Sequence, residues 1–298
     1  MAAHQEISAP GGTGRLGDVR VARIGYGAMQ LADHHGRTYD KQAATAVLRR
    51  AVERGVNHID TAQFYGAGVV NDLIRGALAP YPEDLVLATK VGAVYDEAAR
   101  LLAAQRPREL REQVEANLKA LGVHTLGVVN LRRTDMPPGI IAEGDQIVDL
   151  DDQLAELIAL RDEGKIAGIG LSHVDTDQLR RALPAGVVCV QNMYNMLARS
   201  AEPVLDLCRA HSIAWVPYFP LGSAFEGLAK VTDHPAVREA AAALDATPAQ
   251  IGLAWQLAHY TNTLLIPGTS NIAHLDENLA AGDVVLPPDL IATLDSIA

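Results

Sequence analysis

Residues 56–90 read VNHIDTAQFYGAGVVNDLIRGALAPYPEDLVLATK. A short apolar run over 56–60 is followed by a helical pattern over 69–78 and a second apolar run over 85–90. Two such runs joined through a helix make a strand–helix–strand unit, the connection that parallel neighbours require. The same unit repeats in both directions along the chain. Strands are expected at 23–26, 56–60, 85–90, 126–131, 166–171, 187–191, 213–217 and 263–266. Helices are expected at 41–54, 69–78, 107–121, 150–163, 176–183, 201–211, 248–259 and 272–281. Asp40 is placed to cap the first helix, and Gly55, Gly122 and Gly164 stand where helices should stop.

Eight such units suit an α/β fold closed as a (β/α)8 TIM barrel, with an N-terminal hairpin extension around GGTGRLGD and a C-terminal helix after Pro287 and Pro288. Residues 1–298 are expected to form one domain. An open doubly wound sheet shares the pattern, but no GxGxxG opens a helix after the first strand. GGTGRLG precedes that strand and reads as a hairpin turn.

Composition narrows the partners. The 298 residues carry 25 Lys and Arg against 36 Asp and Glu, a net charge of −11, with no basic stripe to hold a phosphate backbone or an anionic membrane surface. Hydrophobic residues make up 49% but aromatics only 4%, so aliphatic side chains must build the interior, as in layered α/β folds. The start has no basic region leading into an apolar run, and no stretch is apolar enough to span a membrane. A cytoplasmic protein is expected, binding neither nucleic acid nor membrane. Cys189 and Cys208 lack metal-ligand or redox-pair spacing and read as buried, reduced thiols. His34 and His35 lack a third ligand at recognisable spacing, so no metal is expected.

In a (β/α)8 barrel the active site lies at the C-terminal ends of the strands. Three consecutive strands end in charge: NHID in Asp60, LATK in Lys90 and VVNLR in Arg132. Tyr65 follows Asp60 in the loop TAQFYG. Singly, each charge reads as a solvated terminus or a rim ion pair. Together they make a constellation, because an ammonium beside a phenol favours phenolate and a carboxylate keeps the ammonium charged. The phenol then becomes a usable proton donor near neutral pH.

NHIDTAQFYG followed by LATK resembles the Asp, Tyr and Lys signature of the aldo-keto reductases. The resemblance covers nearly the whole chain, through GYGAMQL, GKIAGIGLS, VQNMYN, PYFPLG and IPGTSNIAHLDEN in the family's order. It implies hydride transfer from a reduced nicotinamide cofactor to an aldehyde or ketone, with Tyr65 as general acid, Lys90 depressing its pKa and Asp60 holding Lys90. Arg132 stands where the family carries a His. Arg cannot shuttle a proton near neutral pH but is a permanent cation with a fork of donors. Its expected role is to orient or polarise the substrate oxygen and favour phenolate at Tyr65. Its bland reading is a rim residue paired to Asp135.

The resemblance also implies cofactor contacts. Gly27, Ala28 and Met29 belong to the first-strand motif. Ser172, His173 and Gln191 fall at the nicotinamide carboxamide, with His173 in the usual place of an Asn. Tyr218 stacks on the ring, and Pro220, Leu221, Gly222 and Ser223 follow under the pyrophosphate. At the adenosine end Gly268 and His274 replace the usual Lys and Arg, leaving Thr269, Ser270 and Asn271 as hydrogen-bonding groups beside a helix N-terminus. Glu277 and Asn278 match adenine contacts. NADPH is the expected cofactor, with NADH also usable.

VVNLR, FPLG and IPGTSNIAHLDEN resemble a bacterial branch linked to reduction of pyridoxal and similar aromatic aldehydes. A cation at Arg132 suits a substrate with a phenolate beside its aldehyde. Met29, Gln30, Asp33, His34, Phe64, Tyr95 and Phe219 are candidate pocket linings. Two other readings stay open: a barrel aldolase using Lys90 as a Schiff-base nucleophile, and a cofactor-binding redox-sensing subunit with vestigial turnover.

Overall fold

The computed structural model describes residues 9–31, 40–96, 100–137, 139–222 and 229–297. An antiparallel hairpin comes first, strands β1 (Thr13–Leu16) and β2 (Val19–Ala22), joined by a tight turn at Gly17 and Asp18. The GGTG segment thus lies before and within β1, and the turn falls at the end of the GGTGRLGD stretch.

Seven parallel strands follow: β3 (Tyr26–Gly27), β4 (His58–Asp60), β5 (Val86–Val91), β8 (Leu126–Arg132), β9 (Ile166–Ser172), β10 (Val187–Gln191) and β11 (Ala214–Trp215). Each is bonded to the next in that order, the arrangement produced by right-handed crossovers turning always the same way. Between β5 and β8 lies a small antiparallel hairpin, β6 (Ala93–Tyr95) and β7 (Leu101–Ala103), which the strand pattern did not anticipate.

The expected eighth strand, 263–266, is not a ladder. It makes parallel bridges on both sides, Trp215 to Thr263 and Ile24 to Leu265. The Leu264 amide donates to the Trp215 carbonyl at 2.8 Å and the Leu265 amide to the Arg23 carbonyl at 2.7 Å, so alternate residues bond to opposite neighbours. The segment therefore closes the ring from β11 back to β3. Closure depends on a close approach: a Cβ on Gly27 would collide with the Ile266 carbonyl, and one on Gly268 would lie 2.6 Å from the Gly27 carbonyl. The Tyr26 hydroxyl seals the same seam, donating to the Thr269 carbonyl at 2.6 Å.

Ten helices are present among the described residues: α1 (Lys41–Glu53), α2 (Val69–Leu78), α3 (Pro107–Leu121), α4 (Leu150–Asp162), α5 (Thr176–Ala182), α6 (Glu202–Ala210), α7 (Pro235–Ala243), α8 (Pro248–His259), α9 (Ile272–Ala280) and α10 (Pro288–Asp295). Asp40 caps α1, accepting from the Gln42 amide at 2.8 Å and the Ala43 amide at 3.1 Å. Helices α1, α3 and α4 end just before Gly55, Gly122 and Gly164. Helix α7 was not expected; it lies between β11 and α8 and turns Val237, Ala240 and Ala241 into the core. Helix α10 is the C-terminal addition that the twin prolines signalled.

Two cores result. The larger lies between strands and helices and includes Ile24, Ile59, Val129, Leu131, Ile169 and Leu171. The smaller fills the barrel, where Val86, Ala88, Val128, Cys189, Ala214, Leu264 and Ile266 meet Leu16 and Val21 of the hairpin. The N-terminal hairpin therefore plugs one end. Because successive strand residues alternate faces, the interior positions run Val86, Ala88, Lys90 on β5 and Val128, Asn130, Arg132 on β8. Each sequence is apolar at the plugged end and charged at the other.

Candidate active site

The polarity gradient delivers three charges to the C-terminal rim. Asp60 ends β4, Lys90 lies one residue before the end of β5, and Arg132 ends β8. Lys90 and Asp60 are 6% and 4% exposed, and Lys90 Nζ donates to Asp60 Oδ2 at 2.5 Å and to the Thr61 carbonyl at 3.1 Å. Buried charges survive only when paired and hydrogen-bonded, and this pair is both.

Tyr65 opens a short turn, Tyr65–Gly68, in which Gly66, Ala67 and Gly68 all take positive φ. The turn packs Tyr65 edge-on against Phe64 and sets its ring 4.9 Å from Lys90 Nζ. Burial holds the Tyr65 phenol above its ordinary pKa; Lys90 opposes this, Asp60 reinforces it and Arg132 opposes it from further away. The expectation of a depressed phenol is thus not met: removal from water outweighs the two cations. Tyr65 stays protonated at neutral pH, the state a proton donor needs. Burial also penalises the Lys90 ammonium, but Asp60, then Tyr65, more than compensate, leaving its pKa above the ordinary lysine value.

Gln191, 1% exposed at the end of β10, donates from Nε2 to Asp60 Oδ1 at 2.8 Å. Its Oε1 is buried with no hydrogen-bond partner among the described residues. A buried carbonyl oxygen without a donor is costly, and its natural complement is an N–H from a bound group. The carboxamide of a nicotinamide supplies such a donor, so the residues present fit the cofactor. Ser172 is buried and lies in register with both Arg132 and Gln191.

His173 follows Ser172 with φ of 60°. Its Nε2 donates to the Met136 carbonyl at 2.8 Å, which leaves Nδ1 facing the Tyr218 hydroxyl at 3.2 Å. Tyr218 is half-buried, and burial raises its pKa against the opposing charge of Arg132. Asn192, inside the VQNMYN motif, holds the turn after His173 by exchanging hydrogen bonds with the Val174 backbone at 3.1 and 2.7 Å.

Arg132 is not paired to Asp135. Its neighbour Arg133 takes that carboxylate, at 2.6 Å, and also donates to Gln153. The reason is strand alternation: Arg132 faces inward and Arg133 outward. Arg132 is half-buried, with its guanidinium carbon 5.9 Å from the centre of the Phe64 ring, and makes no ion pair among the described residues.

The remaining cofactor candidates fall in two groups. Ala28 and Met29 lie in a 3-10 turn after β3, Ala28 fully buried and Met29 partly. Pro220, Leu221 and Gly222 follow Tyr218, and Gly222 bridges to Lys230. Thr269, Ser270 and His274 gather at the start of α9, separate from the charged cluster. There the Asn271 side chain caps the helix, accepting from the Ala273 amide at 2.7 Å and the His274 amide at 3.2 Å, while Thr269 Oγ1 accepts from the Asn271 amide. Glu277 is engaged by the Thr247 hydroxyl at 2.6 Å, and Asn278 is 8% exposed beside it. Ser223, Asp33, His34 and His35 lie outside the described residues.

Sequence reasoning missed a chain of buried amides behind the site. Thr61 donates to Asn71 at 2.8 Å, Asn71 to Asn117 at 3.0 Å, and Thr89 to the same Asn117 oxygen at 2.7 Å. Further along, Gln105 Nε2 donates to the Gly92 carbonyl at 2.6 Å and the Arg132 carbonyl at 2.8 Å, and Gln153 braces Gln105. Gly92, at φ of 107°, sits so close that a Cβ would collide with the Arg132 carbonyl. The available signal was Gln113 and Asn117 at i and i+4 on the apolar face of α3, where amides are out of place.

Comparison with known proteins points to one family. The profile described as the Aldo/keto reductase family matches residues 23–298. Pyridoxine 4-dehydrogenase of Escherichia coli (strain K12) is 44% identical over 286 residues, covering 95% of this chain and 97% of that one. An oxidoreductase of Schizosaccharomyces pombe is 37% identical over 95% of this chain and 89% of its own length. Among solved structures, an aldo/keto reductase from Klebsiella pneumoniae in complex with NADP and acetate is similar at a TM-score of 0.78 and 27% identity, covering 95% of this chain and 94% of that one. A thermostable aldo-keto reductase in complex with the inhibitor epalrestat is similar at a TM-score of 0.80 and 27% identity, covering 96% of this chain and 99% of that one.

Proposed function

The chain belongs to the aldo/keto reductase family, and from that premise we propose that it is an NADPH-dependent reductase of aromatic aldehydes, pyridoxal among them, working as a single barrel domain in the cytoplasm. The observation that carries this reading is the packing of Tyr65 against a buried Lys90–Asp60 pair, beside a glutamine whose oxygen awaits a donor. When bound, the reduced nicotinamide supplies a hydride to the carbonyl carbon.

The chain's own residues do the rest. Tyr65 gives its hydroxyl proton to the carbonyl oxygen as that oxygen gains charge. Lys90 then stabilises the resulting phenolate, and Asp60 keeps the lysine charged and in place. Arg132 directs its donors at the substrate oxygen. Gln191 and Ser172 hold the carboxamide, Tyr218 flanks the ring, and Gly27, Ala28, Met29 and Pro220 to Gly222 line the cofactor's path. At the adenosine end Thr269, Ser270, His274, Glu277 and Asn278 complete the site. That end offers no Lys or Arg between Gly268 and Asn278, so NADH is also usable. Pyridoxal is supported by the 44% identity to the pyridoxine 4-dehydrogenase of E. coli and by the cation at Arg132.

The test is the rate of NADPH oxidation with pyridoxal and with benzaldehyde, repeated with NADH and with Tyr65→Phe. Turnover by the wild type, reduced about 100-fold or more by Tyr65→Phe with NADPH binding retained, is expected. Cofactor binding without turnover of any aldehyde favours the redox-sensing reading. Absence of cofactor binding reopens the aldolase reading of Lys90.

A further inference from the structure

Among the described residues, Arg132 is a charged group without a counter-charge. The chain carries 36 Asp and Glu residues, and the neighbouring cations are matched; Lys90 has Asp60, and Arg133 has Asp135. Arg132 has no ion pair among the described residues, yet it is half-buried against the Phe64 ring and close enough to bear on both Tyr65 and Tyr218. A guanidinium partly removed from water normally meets a carboxylate or another anionic oxygen.

The backbone carbonyl of Arg132 is held from behind by Gln105. Gln105, 2% exposed, spends both amide protons on the Gly92 and Arg132 carbonyls, and Gln153 and Gln146 hold Gln105 in turn. Arg132 is therefore a forked donor on a rigid base, and such preorganisation favours binding. Resting on the reductase reading above, we infer that Arg132 is a specificity-determining residue that selects carbonyl substrates bearing an anionic oxygen next to the reacting carbonyl. The two arms of the fork match two oxygens on the same side of an aromatic ring, one the carbonyl and the other a phenolate or carboxylate.

The experiment compares kcat/KM for benzaldehyde, salicylaldehyde and 2-carboxybenzaldehyde in the wild type, Arg132→Met and Arg132→Lys, with NADPH Kd measured by fluorescence quenching. The wild type should prefer the charged aldehydes. Arg132→Met should lower that preference by about 10- to 100-fold, the range of a charge-assisted hydrogen bond, and Arg132→Lys should restore part of it. Preference for salicylaldehyde alone assigns the site to an ortho-phenolate; preference for 2-carboxybenzaldehyde alone assigns it to a carboxylate. No preference in the wild type, or a preference untouched by Arg132→Met, overturns the inference. So does a large loss of NADPH affinity with the preference intact, which makes the cofactor the partner of Arg132. If the wild type reduces no aldehyde, the reductase reading fails separately, and calorimetric binding of salicylate to the NADP⁺ complex decides. Binding lost in Arg132→Met supports the anion site; equal binding in both proteins overturns it.

Discussion

Gln191 donates one amide hydrogen bond to Asp60 at 2.8 Å while its own oxygen lies buried without a donor among the described residues. The residue is half satisfied: one end locks the carboxylate that holds Lys90, and the other faces an absent N–H. Gln191→Met keeps the bulk and removes both functions. NADPH Kd, read by fluorescence quenching, should rise about tenfold, the worth of a net hydrogen bond. An unchanged Kd would mean that the orphan oxygen does not face the cofactor.

Lys90 and Asp60 form a buried pair whose members cannot be removed singly without exposing the other's charge to a medium that solvates it poorly. Lys90→Met should cost about 3–5 kcal/mol in urea denaturation. The double change Lys90→Met with Asp60→Leu should recover much of that loss while remaining inactive. Additive losses would show that the pair is not coupled in the folded state.

Gln105 should behave as a positioning residue for Arg132. Gln105→Met removes the side-chain donor to the Arg132 carbonyl, while the Gly92 carbonyl keeps the Ala104 amide at 3.1 Å and the Gln153 amide keeps the Gln105 backbone carbonyl at 2.7 Å, so the cost should be about 1–3 kcal/mol in all. In kinetics it should lower the preference for salicylaldehyde over benzaldehyde, and it should do nothing further to that ratio when Arg132 is already Met. Gln105→Asn, which keeps the amide on a shorter arm, should be intermediate. A loss of stability with the substrate ratio unmoved would reduce Gln105 to a structural brace.

His58 predicts an acid-sensitive fold. Its ring is 2% exposed, bonded to the Ala22 carbonyl at 3.0 Å, and burial pushes its pKa down to about 4. The folded form therefore binds a proton less readily than the unfolded chain. Its contribution is fully present above pH 6.5, the ordinary histidine value, and is lost as pH falls towards 4, to a total of about 3 kcal/mol. Tm followed between pH 7 and 4.5 should fall more steeply in the wild type than in His58→Gln. Parallel curves would place the acid sensitivity elsewhere.

Much of this protein was legible from one strand–helix–strand unit. Short apolar runs alternating with helical patterns marked the barrel, and the charges that end NHID, LATK and VVNLR marked the end of it that carries the site. The eighth strand was harder. Residues 263–266 carry a strand's composition but form only bridges, because each residue bonds to one neighbour while the next bonds to the other. Helix α7 went unread although Val237, Ala240 and Ala241 fall at helical spacing, because no strand-like run stands between it and α8 to mark it as a separate element.

The sequence by itself determined the alternation of strands and helices, the charged strand ends and the set of residues able to do the chemistry, because these depend on local periodicity and residue type. Only the tertiary structure decided who pairs with whom. Asp60 meets Gln191 across 131 residues of chain, and Asp135 is claimed by Arg133, leaving Arg132 free of an ion pair among the described residues. The direction of the Tyr65 shift was decided there too. Spacing shows that a lysine is near, but only burial shows that desolvation outweighs it. Barrel closure sets these outcomes, since it alone fixes distances across the lumen and the depth at which each charge is taken from water.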